Sequence, residues 1–222
     1  MEDGKKMINI IYEDNHLLVV EKKPNIPVQA DDSKDEDLLT ILKKYIKEKY
    51  NKPGNVYLGL VHRLDRMTSG IMVFGKTSKA SSRLSEEIRK HFFSKKYYAI
   101  VKGDLVDENE LVDYLYKDEK TGISCVNNQL GKEAKLKYKV IKRIGNFCLV
   151  DVELITGRHH QIRVQFSSRG NPILGDALYD KKYDGNLYLH AYSLSFNHPV
   201  TKERLEFNLN PTGGKWNEFF ER

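Results

Sequence analysis

The segment His62-Arg63-Leu64-Asp65-Arg66-Met67-Thr68-Ser69-Gly70 sets one carboxylate between two arginines, leaves through a Thr-Ser-Gly turn, and enters the apolar run Ile71-Met72-Val73-Phe74. Opposite charges within a few ångströms favour the ionised form of an acid, so Asp65 is expected to stay a carboxylate at any working pH. Such a group on a tight turn suits a nucleophile or a base. The same residues also describe a surface turn whose charges are merely solvated, so the segment alone leaves both readings open.

A second segment, Thr156-Gly157-Arg158-His159-His160-Gln161-Ile162-Arg163, gathers two arginines, two histidines and a glutamine where a strand should pass into a helix. Adjacent histidines on a helix diverge by about 100 degrees and cannot chelate one ion as an i, i+4 pair would. No metal site is expected. A helix N-terminus with Arg158 beside it is a reasonable phosphate site, and Arg163, one turn in, has the reach for a bidentate contact with a carboxylate. Ordinary capping and a surface ion pair would use the same residues.

The chain has 222 residues with 37 basic and 31 acidic, a net charge of +6, which points towards a polyanionic partner. Arg63, Arg66, Lys76, Lys79, Arg83, Arg89, Lys90, Lys95, Lys96 and Lys102 crowd one region, interleaved with Phe92, Phe93, Tyr97 and Tyr98. Phosphate contacts combined with stacking platforms are what single-stranded or locally opened nucleic acid requires; a solvated helix face beside a buried aromatic cluster would look the same. The 40% apolar fraction, 13 tyrosines and 9 phenylalanines predict a folded globule. No run has the length of a membrane span, and Met-Glu-Asp-Gly-Lys-Lys is not followed by the apolar core of a signal peptide, so a soluble, cytoplasmic protein is expected. Cys125 and Cys148 are too far apart for a C-x-x-C pair and are read as buried thiols.

The elements that must position these segments follow from periodicity. Ile8–Tyr12 and Leu17–Glu21 read as strands joined at Asp14-Asn15. Lys22-Lys23-Pro24 breaks regular structure, and Ser33 with Glu36 forms a possible capping box for a helix that puts Leu38, Leu42, Tyr45 and Ile46 on one face. Ile71–Lys76 is a strand, and Thr77 or Ser78 caps a helix facing inward at Ala80, Leu84 and Ile88. Lys95–Gly103 alternates as a strand, with Tyr97, Ala99 and Val101 on one face. The polar stretch from Asp104 to Lys135 shows weak strands and reads as a flexible flap. Strands are then predicted around Ala134–Val140, Phe147–Ile155, Leu187–Phe196 and Arg204–Leu209, with short helices at His159–Phe166 and Trp216–Phe220. Strands outnumber helices and short turns join several of them, which predicts a single α+β domain over 1–222 with a largely antiparallel mixed sheet flanked by helices.

Several segments together resemble the RluA-type pseudouridine synthases: Ile11–Pro24 resembles the family's opening strand pair, and His62–Gly70 its motif His-Arg-Leu-Asp-x-x-Thr-Ser-Gly. Lys95-x-Tyr97-x-Ala99-x-Val101-x-Gly103 resembles its tyrosine-bearing strand, and Leu154-x-Thr156-Gly157-Arg158-x-His160-Gln161-Ile162-Arg163-Val164 its third motif. Leu189-His190-Ala191 and Phe196-x-His198-Pro199 resemble its closing segment. The order and spacing match along almost the whole chain.

The resemblance implies the pseudouridine synthase fold with an RNA-binding catalytic cleft, no cofactor, a monomer, and isomerisation of uridine in ribosomal or transfer RNA. Asp65 takes the place of the family's aspartate, which starts the reaction by attacking C1′ or by removing a ribose proton. Arg163 takes the place of the arginine paired with that aspartate, and Tyr97 that of the residue packed on the base. Arg63 matches the arginine that fills the gap left by the flipped nucleotide, and His62, Arg66, Arg158 and His160 are expected on the RNA side of the site. His159 and Gln165 depart from the family's common residues, so RNA contact by either stays open. An N-terminal S4-like domain is not expected, because the first motif begins close to Met1. Two other classes use some of the same features: a glycoside hydrolase, which needs a second carboxylate that no motif supplies, and an inactive RNA-binding protein, which would not need Asp65, Tyr97 and Arg163 together.

Overall fold

A computed structural model of the chain describes residues 8–180 and 185–221. The charged N-terminal stretch read for a signal peptide lies outside them. The backbone divides into two compact units: one comprises the described residues of Met1–Phe93 with Leu194–Asn208, the other those of Ser94–Ser193 with Leu209–Arg222.

In the first unit β1 (Asn9–Glu13) and β2 (Leu17–Lys22) form the expected hairpin, with Asp14 Oδ1 accepting the backbone N–H groups of His16 and Leu17, each at 2.7 Å. The helix α1 (Leu38–Lys49) buries Leu38, Leu42 and Ile46. Its cap is Asp37, which accepts the backbone N–H of Thr40 at 3.0 Å, and not Ser33, which stays in an exposed turn with Asp31. A capping side chain must stand directly before the first helical residue, and Asp37 does so for a helix that starts at Leu38. β3 (Gly59–Leu60) and β4 (Ser69–Gly75) follow; β4 pairs with β2 on one edge and with β3 on the other. Leu17 to Val20 on β2 and Ile71 to Phe74 on β4 are at most 1% exposed, so both faces of these central strands are covered. They read as unbroken apolar runs for that reason.

The helix α2 (Ser78–Arg89) is capped by Thr77, with Ala80 and Leu84 buried and Ile88 half-buried. Gly75 lets it approach closely, since a Cβ there would lie 2.2 Å from Ser81 Oγ. Glu13 ties three elements together, accepting from the hydroxyls of Tyr45 and Tyr50, both at 2.8 Å, and from Lys49 and Lys76, both at 2.7 Å. Burial works against its charge, but these four donors hold its carboxyl down at about 2.

The second unit is a run of antiparallel strands in the order β5-β9-β8-β6-β7: β5 (Ser94–Lys102), β6 (Glu108–Lys117), β7 (Ser124–Val126), β8 (Lys132–Ile144) and β9 (Phe147–Leu154). The expected flap is therefore a set of regular strands. Its polarity comes from outward residues, while Leu111 and Leu115 on β6 and Ala134, Leu136 and Tyr138 on β8 are buried. An antiparallel sheet with one wet face shows only half its apolar character in sequence. Cys148 is buried as expected, but Cys125 is exposed, because Ser124 takes the inward position of the short β7.

The helix α3 (Gln161–Ser167) follows β9, and α4 (Lys215–Phe220) brings Trp216 and Phe219 into a cluster with Ile100, Leu149 and Leu174. The strand β10 (Leu189–Asn197) carries the chain from the second unit back into the first, where β11 (Arg204–Asn208) pairs with it. No helix among the described residues is long and apolar enough to cross a membrane.

Candidate active site

Asp65 sits half-buried on a loop of the first unit that is anchored at several points. Leu64 is buried, and the Asp65 carbonyl accepts the Thr68 N–H at 3.0 Å, closing the turn. His62 Nε2 accepts the Val73 N–H of β4 at 3.1 Å, and its ring lies against Phe93, centroids 5.4 Å apart. An accepting Nε2 places the proton of a neutral imidazole on Nδ1.

The strongest anchor is Lys22. Its side chain is fully buried at the end of β2, and its ammonium donates to the carbonyls of Arg66 (2.8 Å), Thr68 (2.7 Å) and Lys23 (3.1 Å). Three acceptors match the three protons of an ammonium. Burial pushes the Lys22 amine down to about 7, with the attraction of the Asp65 carboxylate acting the other way. Sequence reasoning passed over this residue, treating it as part of a break. The signal was available: a lysine that ends an apolar strand is either exposed or held by acceptors, and β4 lies beside it.

The two arginines that flank Asp65 in sequence have different surroundings. Arg63 is exposed. Arg66 turns towards the loop before α1, donating through Nε to Asn25 Oδ1 at 3.0 Å and pairing with Asp35 and, at 3.7 Å, with Asp31.

The other candidates stand in the second unit. Tyr97 is buried on β5, opposite Val152 of β9. Lys95, two residues earlier, reaches the third motif, its ammonium 3.4 Å from where a Cβ on Gly157 would be, and burial lowers its pKa. Arg163 is buried on α3 and meets a carboxylate bidentately, that of Asp176: Nε donates to Oδ2 at 2.8 Å and Nη2 to Oδ1 at 2.7 Å. Asp176 belongs to no motif singled out from the sequence.

The histidine pair departs from expectation. Both residues precede α3, His160 being its left-handed cap at φ 52°, so the rings stack at 3.8 Å instead of diverging round a helix. His159 Nδ1 lies 2.9 Å from Ser124 Oγ, and His160 Nδ1 lies 2.9 Å from the Tyr179 hydroxyl. Arg158 is exposed, with Nε donating to the Glu133 carbonyl at 2.8 Å. Gln165 is fully buried and takes no place on a binding surface: its amide donates to Asp113 Oδ2 at 2.8 Å and to the carbonyls of Leu111 and Ala134, at 3.3 and 3.2 Å. It fastens α3 to β6 and β8. No group of three or more potential metal ligands occurs among the described residues.

Residues 16–168 match the family model described as RNA pseudouridylate synthase, a span holding the Asp65 loop, the Tyr97 strand and the whole of α3. The chain belongs to the RNA pseudouridylate synthase family. The RluA-type resemblance is borne out by its relatives. Ribosomal large subunit pseudouridine synthase C of Vibrio vulnificus (strain CMCP6) is 35% identical over 209 residues, covering 90% of this chain and 64% of the relative. Ribosomal large subunit pseudouridine synthase D of Zymomonas mobilis subsp. mobilis is 33% identical over 216 residues, covering 90% of this chain and 68% of the relative. The chain thus spans about two thirds of the length of such relatives. Among solved structures, human RNA pseudouridylate synthase domain containing 4 superposes with a TM-score of 0.76 at 23% identity, over 92% of this chain and 88% of that one. This likeness establishes the α+β pseudouridylate synthase fold. Membership of the family leaves the glycoside hydrolase reading without support.

Proposed function

We propose that this pseudouridylate synthase family member isomerises uridine to pseudouridine in ribosomal RNA, working as a cytoplasmic monomer without a cofactor. The names of its relatives specify the large ribosomal subunit and lend no particular support to a transfer RNA substrate. In the reaction the bond from uracil N1 to C1′ breaks, the base turns, C5 joins C1′, the C5 proton leaves and N1 takes up a proton. Asp65 is the reacting carboxylate. Either opening step, attack on C1′ or removal of a ribose proton, needs it ionised. Arg163 holds that carboxylate charged and oriented, and Tyr97 packs on the base. Arg63 fills the stack that the flipped nucleotide vacates, and His62, Arg66, Arg158 and His160 line the RNA side.

The observation that supports this reading best is the anchoring of the Asp65 loop by a buried ammonium. A group that must meet a reacting atom within a few tenths of an ångström belongs on a loop whose carbonyls are held from behind. The test is Asp65→Asn, assayed by tritium release from C5-labelled uridine in ribosomal RNA alongside RNA binding. Binding should persist and label release should cease; turnover near wild type would remove Asp65 from the mechanism.

A further inference from the structure

Arg163 is held from two directions by a segment that the reaction scheme does not use. Asp176, 1% exposed, takes the Nε and Nη2 edge of the guanidinium, at 2.8 and 2.7 Å. Its Oδ1 also accepts the backbone N–H groups of Leu178 and Tyr179, both at 3.2 Å, so the carboxylate is itself fixed by the turn it belongs to. The Tyr179 ring lies under the guanidinium, with Cζ of Arg163 5.1 Å from its centroid. The Tyr179 hydroxyl accepts the Ser124 N–H at 3.0 Å and lies 2.9 Å from His160 Nδ1, while the Tyr179 carbonyl accepts from Ser167 Oγ at 3.1 Å. The turn is fixed in its own right: Gly175 has φ 78°, and a Cβ there would lie 1.9 Å from the Asn186 carbonyl oxygen.

An arginine side chain has four rotatable bonds, and a bidentate partner removes freedom that a single hydrogen bond leaves. With Nε and Nη2 engaged by Asp176, the guanidinium presents its opposite, Nη1 edge in one fixed direction. The aromatic face below restrains its tilt. We propose that Asp176 and Tyr179 are positioning residues that aim the Arg163 guanidinium for the isomerisation. This rests on the reading of Arg163 as part of the catalytic machinery. A purely structural pair would stabilise the second unit equally well, but it would not act on the chemical step through Arg163.

The test is a double-mutant cycle on the full chain, measuring the single-turnover rate constant, RNA Kd and melting temperature. Asp176→Asn should lower the rate constant on the order of 100-fold, as a misplaced catalytic group does, with Kd within about twofold of wild type. In an Arg163→Met background the same substitution should change the rate less than about twofold. Equal losses in both backgrounds, or a change confined to melting temperature or Kd, would overturn the proposal. If Asp176→Asn fails to fold, Tyr179→Leu keeps the charge pair intact. It should lower the rate constant about tenfold in the wild-type background and not in Arg163→Met; additive losses would again count against the proposal. An Arg163→Met enzyme as fast as wild type would be a different failure, since it would remove Arg163 from the mechanism and leave nothing to position.

Discussion

Lys22 and Thr68 are joined by a hydrogen bond of 2.7 Å from a fully buried ammonium to a backbone carbonyl, across 46 residues of sequence. Through it the end of one core strand grips the loop that carries Asp65. The grip is electrostatic as well as geometric, since the ammonium is attracted by the Asp65 carboxylate.

Replacing Lys22 with methionine keeps the volume and removes the charge. It abolishes the burial cost of the ammonium but leaves the Arg66 and Thr68 carbonyls without their donor, at about 1–3 kcal/mol each. These effects oppose one another, so denaturant unfolding should show a loss of no more than about 3 kcal/mol. Turnover should fall on the order of 100-fold, because the loop loses its register. A variant with wild-type turnover would show that the anchor is dispensable.

The same lysine makes a prediction about pH. Its pKa falls from 10.5 to about 7 on folding, so between those values the unfolded chain carries a proton that the folded chain lacks. Stability then rises with pH across that window, and the full cost of the buried charge is present below it. Urea unfolding at several pH values from about 6 to 10 should show this rise in wild type and its absence in Lys22→Met. Parallel profiles for the two proteins would contradict it.

Glu13 has the opposite sign. Its carboxyl lies at about 2 in the folded protein against 4.5 unfolded, so its contribution is complete above pH 4.5 and disappears as pH falls towards 2. Glu13→Gln should be less stable than wild type near neutrality, and the two unfolding curves should converge on acidification. A constant gap down to low pH would mean that the four-donor cluster is not what the acid transition breaks.

Arg63 is exposed while its neighbour Leu64 is buried, which leaves the guanidinium available to RNA. Extruding a stacked, paired nucleotide costs a few kcal/mol, a burden that an already single-stranded uridine largely escapes. Arg63→Ala should therefore reduce turnover strongly on a structured RNA and much less on a short single-stranded one. Equal losses on both would detach Arg63 from flipping.

The family motifs were legible because each is a local string with fixed spacing, and β1, β2, β4, α2, β5 and β9 followed from simple periodicity. What escaped was non-local. Lys22 looked like the end of a strand because its acceptors lie on another segment. Asp176 was invisible as the partner of Arg163, since nothing in the order of residues announces that the turn after α3 folds back on it. The arginines adjoining Asp65 drew attention by being sequence neighbours, yet Arg66 finds its carboxylates in the loop before α1. The histidine pair misled in the same way: a left-handed residue at His160 stacks two rings that a continuous helix would have parted. Gln165 shows the converse, a polar residue on a short helix that is buried because three acceptors from neighbouring strands converge on it.

The path of the chain through its two units bears on its synthesis. The first unit is begun by Met1–Phe93 and finished only by Leu194–Asn208, after the whole of Ser94–Ser193 has been made. Late residues supply contacts that the early ones wait for: His198 Nε2 meets Asp14 Oδ2 at 2.8 Å, and the Asn197 N–H meets Glu87 at 2.8 Å. On the ribosome, at about 5–20 residues per second, the apolar strands β2 and β4 therefore emerge several seconds before their unit can close. The second unit likewise awaits Leu209–Arg222 and the helix bearing Trp216. Neither unit can complete its core before its last segment has been made.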